Sequence, residues 1–127
     1  MRILIPSTAS SKPVKMVRLF DSVMGHVFEH DEDPESKIVV AIKPPYAPAK
    51  YSVVETYVSP KLRNKGVASK LLKEVLSVYP HDIGAQCSSD ESVRLFWKNG
   101  FRLIDGGSVN DALRRRKENS AVYLKRF

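Results

Sequence analysis

The residues best placed to do chemistry lie in a short basic turn, residues 61–65, closed by Gly66 and followed by a helix that starts at Val67. The first N–H groups of a helix lack intrahelical partners and carry the positive end of its dipole, so such a turn attracts anions. Gly66 has no Cβ to hold a ligand away from the backbone. Lys61, Arg63, Lys65 and Lys70 add positive charge around the same turn. A diphosphate suits this arrangement.

The flanking residues are the elements that must position the turn. Residues 51–58, YSVVETYV, are rich in β-branched and aromatic types and read as a strand. Ser59-Pro60 ends it, because proline cannot donate to a sheet ladder. Beyond Gly66 the apolar period changes: Val67, Leu71, Leu72, Val75 and Leu76 share one helical face. Pro80 supplies the stop.

Composition narrows the class without naming the ligand. A chain of 127 residues corresponds to about one domain, 1–127, large enough to hold a core without staples. Cys87 is the sole cysteine, which excludes an intramolecular disulfide. The opening residues 1–13 have too short an apolar run for a signal peptide or membrane span, so a soluble cytoplasmic protein is expected. A formal net charge of +7 favours anionic ligands or partners, whether phosphorylated cofactors or nucleic acid.

Arg63-Asn64-Lys65-Gly66-Val67-Ala68 resembles the Q/R-x-x-G-x-G/A signature of the GNAT N-acetyltransferase superfamily. It is neither the dinucleotide nor the nucleoside-triphosphate glycine pattern. Residues 88–101, SSDESVRLFWKNGF, resemble a second landmark of that family, N-x-x-A-x-x-(L/F)-Y-x-x-x-G-F. Ser89 stands at the Asn position, Ser92 at Ala, Leu95 at the apolar position, and Gly100-Phe101 closes the match. Two short motifs in the right order and spacing are far more specific than either alone.

The resemblance implies an α/β (α+β) fold: a mixed, mostly antiparallel sheet flanked by helices and splayed at its central strands. It implies acetyl-CoA (CoA) as donor, held by Tyr57, Val58, Arg63, Asn64, Lys65, Gly66, Val67, Ala68, Ser69 and Phe96. It further implies direct transfer to an amine through a tetrahedral intermediate. The amine must be deprotonated to attack. A backbone N–H of the central strand, near Tyr57 or Val58, receives the developing oxyanion. Many relatives carry a tyrosine whose hydroxyl can protonate the departing thiolate; here that position holds Phe96, with Tyr57, water or another hydroxyl as substitutes.

Glu55 is the carboxylate of the central strand and the candidate base, with a solvent-facing strand charge as the competing reading. A bulge would change the side-chain parity after it, so its face is open at this level. The acidic turn, residues 29–35, attracts a cationic acceptor or is simply solvated. His26, His30 and His81 lack metal-ligand spacing, and Cys87 reads as a small core residue rather than a nucleophile. Trp97 reads as a packing residue. The run Arg114-Arg115-Arg116-Lys117 offers contacts to a 3′-phosphate, nucleic acid or an acidic partner, or is a solvated face.

In chain order, residues 2–6 read as a strand and 7–12 as a polar loop. A helix is expected from Pro13, with Val17, Phe20, Val23, Met24 and Val27 on one face and Gly25 weakening it. Residues 37–42, KIVVAI, form a strand buried on both faces. Residues 43–50 make a proline-rich connection. Further strands are expected at 82–87, 101–104 and 121–127, with a Ser88-Ser89-Asp90-capped helix ending at Gly100. The N-terminal part thus looks a helix, and a strand, shorter than a typical GNAT domain.

Three functions compete. The first is an acetyl-CoA-dependent N-acetyltransferase acting on a protein lysine, an N-terminus or a small amine. The second is a GNAT-fold interaction protein that docks on a protein partner and retains CoA binding. A nucleic-acid module ranks last, since no stacking platform or recognition motif is evident.

Overall fold

The computed structural model describes residues 14–127. Four strands come first: β1 (Lys15–Phe20), β2 (Val23–Glu29), β3 (Lys37–Ile42) and β4 (Tyr51–Tyr57). A 3-10 turn, Pro60–Leu62, leads to α1 (Val67–Val78). Then follow β5 (Ile83–Cys87), α2 (Asp90–Lys98), β6 (Arg102–Leu103), α3 (Val109–Asn119) and β7 (Val122–Arg126). The strands make one sheet in the order β1-β2-β3-β4-β5-β7-β6. Every pairing is antiparallel except β4 with β5, which α1 connects as a parallel crossover. This is the mixed, mostly antiparallel sheet flanked by helices that the motifs imply.

The helix expected from Pro13 is instead the β1–β2 hairpin, turning at Asp21-Ser22 with Asp21 at φ 47°. The apolar positions 17, 20, 23, 24 and 27 fit helical spacing, but the segment is rich in valine and phenylalanine, which favour strands. Gly25 decides between the two. It lies opposite Val17, and a Cβ there would meet the Leu19 side chain at 3.0 Å, so the missing side chain serves close packing across the pair. Pro13, the expected strand 2–6 and the loop 7–12 lie outside the described residues. Among the described residues no α-helix precedes α1.

The strand β3 is buried on both faces, as its uninterrupted apolar run predicts. Ile38 and Val40 join Leu71, Leu72 and Val75 of α1 in the main core. Leu71, Leu72 and Val75 are almost wholly buried, each worth roughly 1.5–3 kcal/mol. The same core continues through Ile83, Ala85, Val93, Phe96, Phe101, Ala112 and Leu124. Val39 and Ala41 point to the sheet face turned away from α1 and are also buried.

The basic stretch 109–119 is a helix, α3, which its charge run conceals. Its N-terminus is a capping box: Asp111 N donates to Ser108 Oγ at 3.2 Å, and Ser108 N donates to Asp111 Oδ2 at 2.8 Å. Ser89 caps α2 in the same way, with Ser92 N donating to its Oγ at 3.1 Å. The chain therefore uses serine caps at two helix starts, and α1 is the exception.

Candidate functional site

The site is a cleft opened by the sheet itself. The ladder between β4 and β5 pairs Tyr51, Ser52 and Val53 with Ile83, Gly84 and Ala85 and goes no further, although both strands continue. At the closed end Tyr123 of β7 lies across Gly84, where no other residue would leave room, and its hydroxyl sits 3.2 Å from Ser52 Oγ. Beyond Val53 the strands part. The register of β4 against β3 jumps at the same point: Val40 pairs with Val53, but Val39 pairs with Glu55. Val54 is thus a bulge, and Val54, Glu55, Thr56 and Tyr57 are all exposed in the middle of a sheet.

The opening is a cleft of about 1050 Å³ walled by β4, the turn after it, the first turn of α1, β5 and α2. Of the residues expected to hold a cofactor, Tyr57, Val58, Arg63, Asn64, Gly66, Val67, Ala68, Ser69 and Phe96 line it, as does the candidate base Glu55. Lys65 belongs to the same turn but does not line the cleft. Asn64 (φ 63°) and Gly66 (φ 75°) both take the left-handed conformation that lets the turn fold back into α1. A Cβ built on Gly66 meets nothing within 4 Å, so the backbone faces open space.

The N-terminus of α1 has no side-chain cap, in contrast to α2 and α3. Its cap position is Gly66, and Val67, Ala68 and Ser69, which follow, line the cleft. The first N–H groups of a helix have no intrahelical partner. Here they lie at the edge of an open cleft, a place for an anionic oxygen.

Two cations of the cleft escaped sequence reasoning. Arg94 and Lys98 stand one turn apart on α2, and both line the cleft. Their i, i+4 spacing was the available signal. Gln86, Ser88, Ser89 and Ser92 add polar groups to the cleft wall, and Glu91 adds a carboxylate.

Phe96 is nearly buried, with its ring set edge-on to Phe101 at 4.9 Å between centroids. Cys87 is fully buried, and burial pushes its thiol up to about 12, which leaves a core residue with no nucleophile character. Trp97 carries the Arg102 guanidinium 4.5 Å above its ring. Among the described residues no cluster of His, Cys, Asp and Glu could hold a metal ion.

Two residues of the acidic turn are engaged within the chain. Glu29 pairs with Lys15 at 2.6 Å. Asp33 is buried and accepts hydrogen bonds from Ser36 Oγ, at 2.7 Å, and from Ser59 Oγ. These bonds, with the charge of Lys61 a weaker contributor, hold its carboxyl below the usual range. The arginine run is also occupied within the chain: Arg114 with Asp111, Arg115 with Asp105 at 2.9 Å, and Arg116 with Asp90 at 2.8 Å. None of these arginines lines the cleft.

The model of the acetyltransferase (GNAT) family matches residues 12–101. The chain belongs to the GNAT family. The match takes in the hairpin, β3, β4, the whole cleft-forming unit from β4 to α2, and ends at Phe101. No curated protein and no solved structure matches the chain. Membership supports acyl transfer as the general activity of this GNAT chain. Among its described helices none is long and apolar enough to cross a membrane.

Proposed function

We propose that the chain is an N-acetyltransferase that moves the acetyl group of acetyl-CoA directly to a primary amine. The observation that carries this reading is the uncapped N-terminus of α1, which borders a cleft left open by the parted strands β4 and β5.

The residues present suit the donor. The N-terminus of α1, with Arg63 beside it, is a place for the diphosphate, and Arg94 and Lys98 line the same cleft for the remaining phosphate. The unpaired stretch of β4 offers backbone groups to an extended amide-containing arm. Bound acetyl-CoA supplies an acetyl carbonyl activated by its thioester. Glu55, exposed at the bulge, takes the proton that the ammonium must lose before its nitrogen can attack. A backbone N–H near Tyr57 or Val58 stabilises charge on the carbonyl oxygen. Phe96 has no proton to give, so the thiolate is protonated from solvent or by the exposed Tyr57 hydroxyl. The alternative reading, a docking protein, would rest on Arg114, Arg115 and Arg116, which already pair with carboxylates of the same chain.

Calorimetric titration with acetyl-CoA tests the reading, wild type against Gly66→Glu. The substitution places a carboxylate in the open space before α1, against the diphosphate. Left-handed strain at this residue lowers stability by about 1 kcal/mol, which a folded domain survives. Affinity should fall at least about tenfold, the effect of 1.4 kcal/mol. A folded variant with unchanged affinity would sink the assignment.

A further inference from the structure

We infer that the acceptor is a small primary monoamine carried on an apolar body, bound across the sheet face turned away from α1. This rests on the transferase reading and narrows it.

The register places Lys15, Val27, Val39 and Glu55 side by side across β1, β2, β3 and β4, so all four share one face. On that face lies a groove of about 390 Å³, at the small end of ligand sites. Val17, Leu19, Val27 and Val39 form its walls. Val54 and Glu55 line both this groove and the donor cleft, so the two spaces meet at the bulge. The Glu55 carboxylate has no side-chain hydrogen bond or ion pair among the described residues.

Those facts orient an occupant. A cationic head next to Glu55 is charge-paired, and on losing its proton there it stands where the donor cleft opens. The neutral nitrogen then adds to the acetyl carbon to form the tetrahedral intermediate. The nitrogen releases its second proton to solvent, the carbon–sulfur bond breaks as the intermediate collapses to the amide, and the thiolate takes up a proton from solvent. The rest of the acceptor lies along aliphatic walls. The remaining carboxylate of the groove, Glu29, is already paired with Lys15 at 2.6 Å. A second ammonium would have to compete with Lys15 for it or be desolvated without a partner, which is unfavourable. Lys15 and Lys37, which also border the groove, repel it. A diamine of similar length is therefore rejected, and an aromatic or branched monoamine is accepted.

The test compares acetylation of phenethylamine and of 1,4-diaminobutane by the full chain, with acetyl-CoA affinity measured separately by calorimetry. Wild type should favour phenethylamine in kcat/KM by at least about tenfold. Val17→Glu puts a carboxylate on the groove's wall, on a half-buried position of the edge strand. It should shrink or invert that preference while leaving acetyl-CoA affinity unchanged. If Val17→Glu does not fold, Val17→Thr should weaken phenethylamine alone. Equal use of the two amines by wild type overturns the inference. So does acetylation confined to peptide N-termini or lysines with acetyl-CoA still bound, and in that case the transferase reading stands. Absence of acetyl-CoA binding removes both together.

Discussion

Arg63 is tied back to Val58: its Nε donates to the Val58 carbonyl at 2.9 Å across the turn that precedes α1. The other end of the same peptide unit, Ser59 N–H, donates to Ser36 Oγ at 2.9 Å. Ser36 and Ser59 both donate to the buried carboxylate of Asp33. The backbone where β4 gives way to the turn before α1 is thus held from the β2–β3 loop, more than twenty residues upstream.

Removing Asp33 should act on the donor site before it acts on the chemistry. Asp33→Ala leaves two buried hydroxyls without their acceptor and frees the Ser59 end of the turn. The expected result is a KM for acetyl-CoA raised about tenfold with kcat changed less than about threefold. Ser36→Ala should give the same split, and the double variant should be no worse than the single ones, because the residues act as one unit. A loss of kcat with KM unchanged would rule out a positioning role. Since the Asp33 carboxyl is held low, its contribution is present above the ordinary value of 3.8 and disappears only as pH falls below it.

His26 should make stability depend on mildly acidic pH. Its Nδ1 lies 2.8 Å from the Tyr79 hydroxyl, and its ring stacks on Phe28 at 4.1 Å. Burial lowers its pKa from 6.5. The unfolded chain therefore takes up a proton first as pH falls, so stability is full above 6.5 and declines through the window below it. Thermal melts across that window should show the decline, and His26→Gln, which keeps a partner for Tyr79, should flatten it. A parallel decline in the variant would assign the effect to other groups.

The legible parts of this chain were local and repetitive. The run KIVVAI, the change of apolar period at Val67 and the serine cap at Ser89 each state their structure within a few residues. The parted strands and the bulge followed from two motifs rather than from periodicity. The hairpin departs from the expected helix because five apolar positions fit two periods, and the β-branched and aromatic content together with the packing of Leu19 on Gly25 separates them. The helix α3 hid behind its arginines, although Ser108 and Asp111 carry a capping pattern. Asp33 could not be assigned at all from sequence, since its partner Ser59 is brought to it by the sheet.

Reversing Arg114, Arg115 and Arg116 to glutamate should loosen the C-terminal part without touching the site. Arg116 bridges α3 to Asp90 at the start of α2, and Arg115 reaches Asp105 in the turn before α3. Exposed pairs are individually weak, so the triple variant should lose only several degrees of Tm. Its acetyl-CoA affinity by calorimetry should stay within about twofold of wild type. A large loss of affinity would place the run against the donor and contradict its distance from the cleft.

Phe96→Tyr asks whether the missing hydroxyl belongs in the cleft or in the core. The ring lines the cleft, yet it is nearly buried and rests edge-on against Phe101. A hydroxyl directed into the core would lack a partner and lower stability by about 1–3 kcal/mol. One directed into the cleft would be solvated, at little change in stability, and could hand a proton to the leaving thiolate. Because Phe96 shares the cleft wall with Leu95 and Ser92, the second outcome is expected: an unchanged Tm, an unchanged acetyl-CoA affinity and a turnover at or above wild type. Melting and steady-state kinetics on the same preparation separate the cases. A lowered Tm together with reduced turnover would show that the wall is built around an apolar ring, leaving Tyr57 or solvent as the proton source.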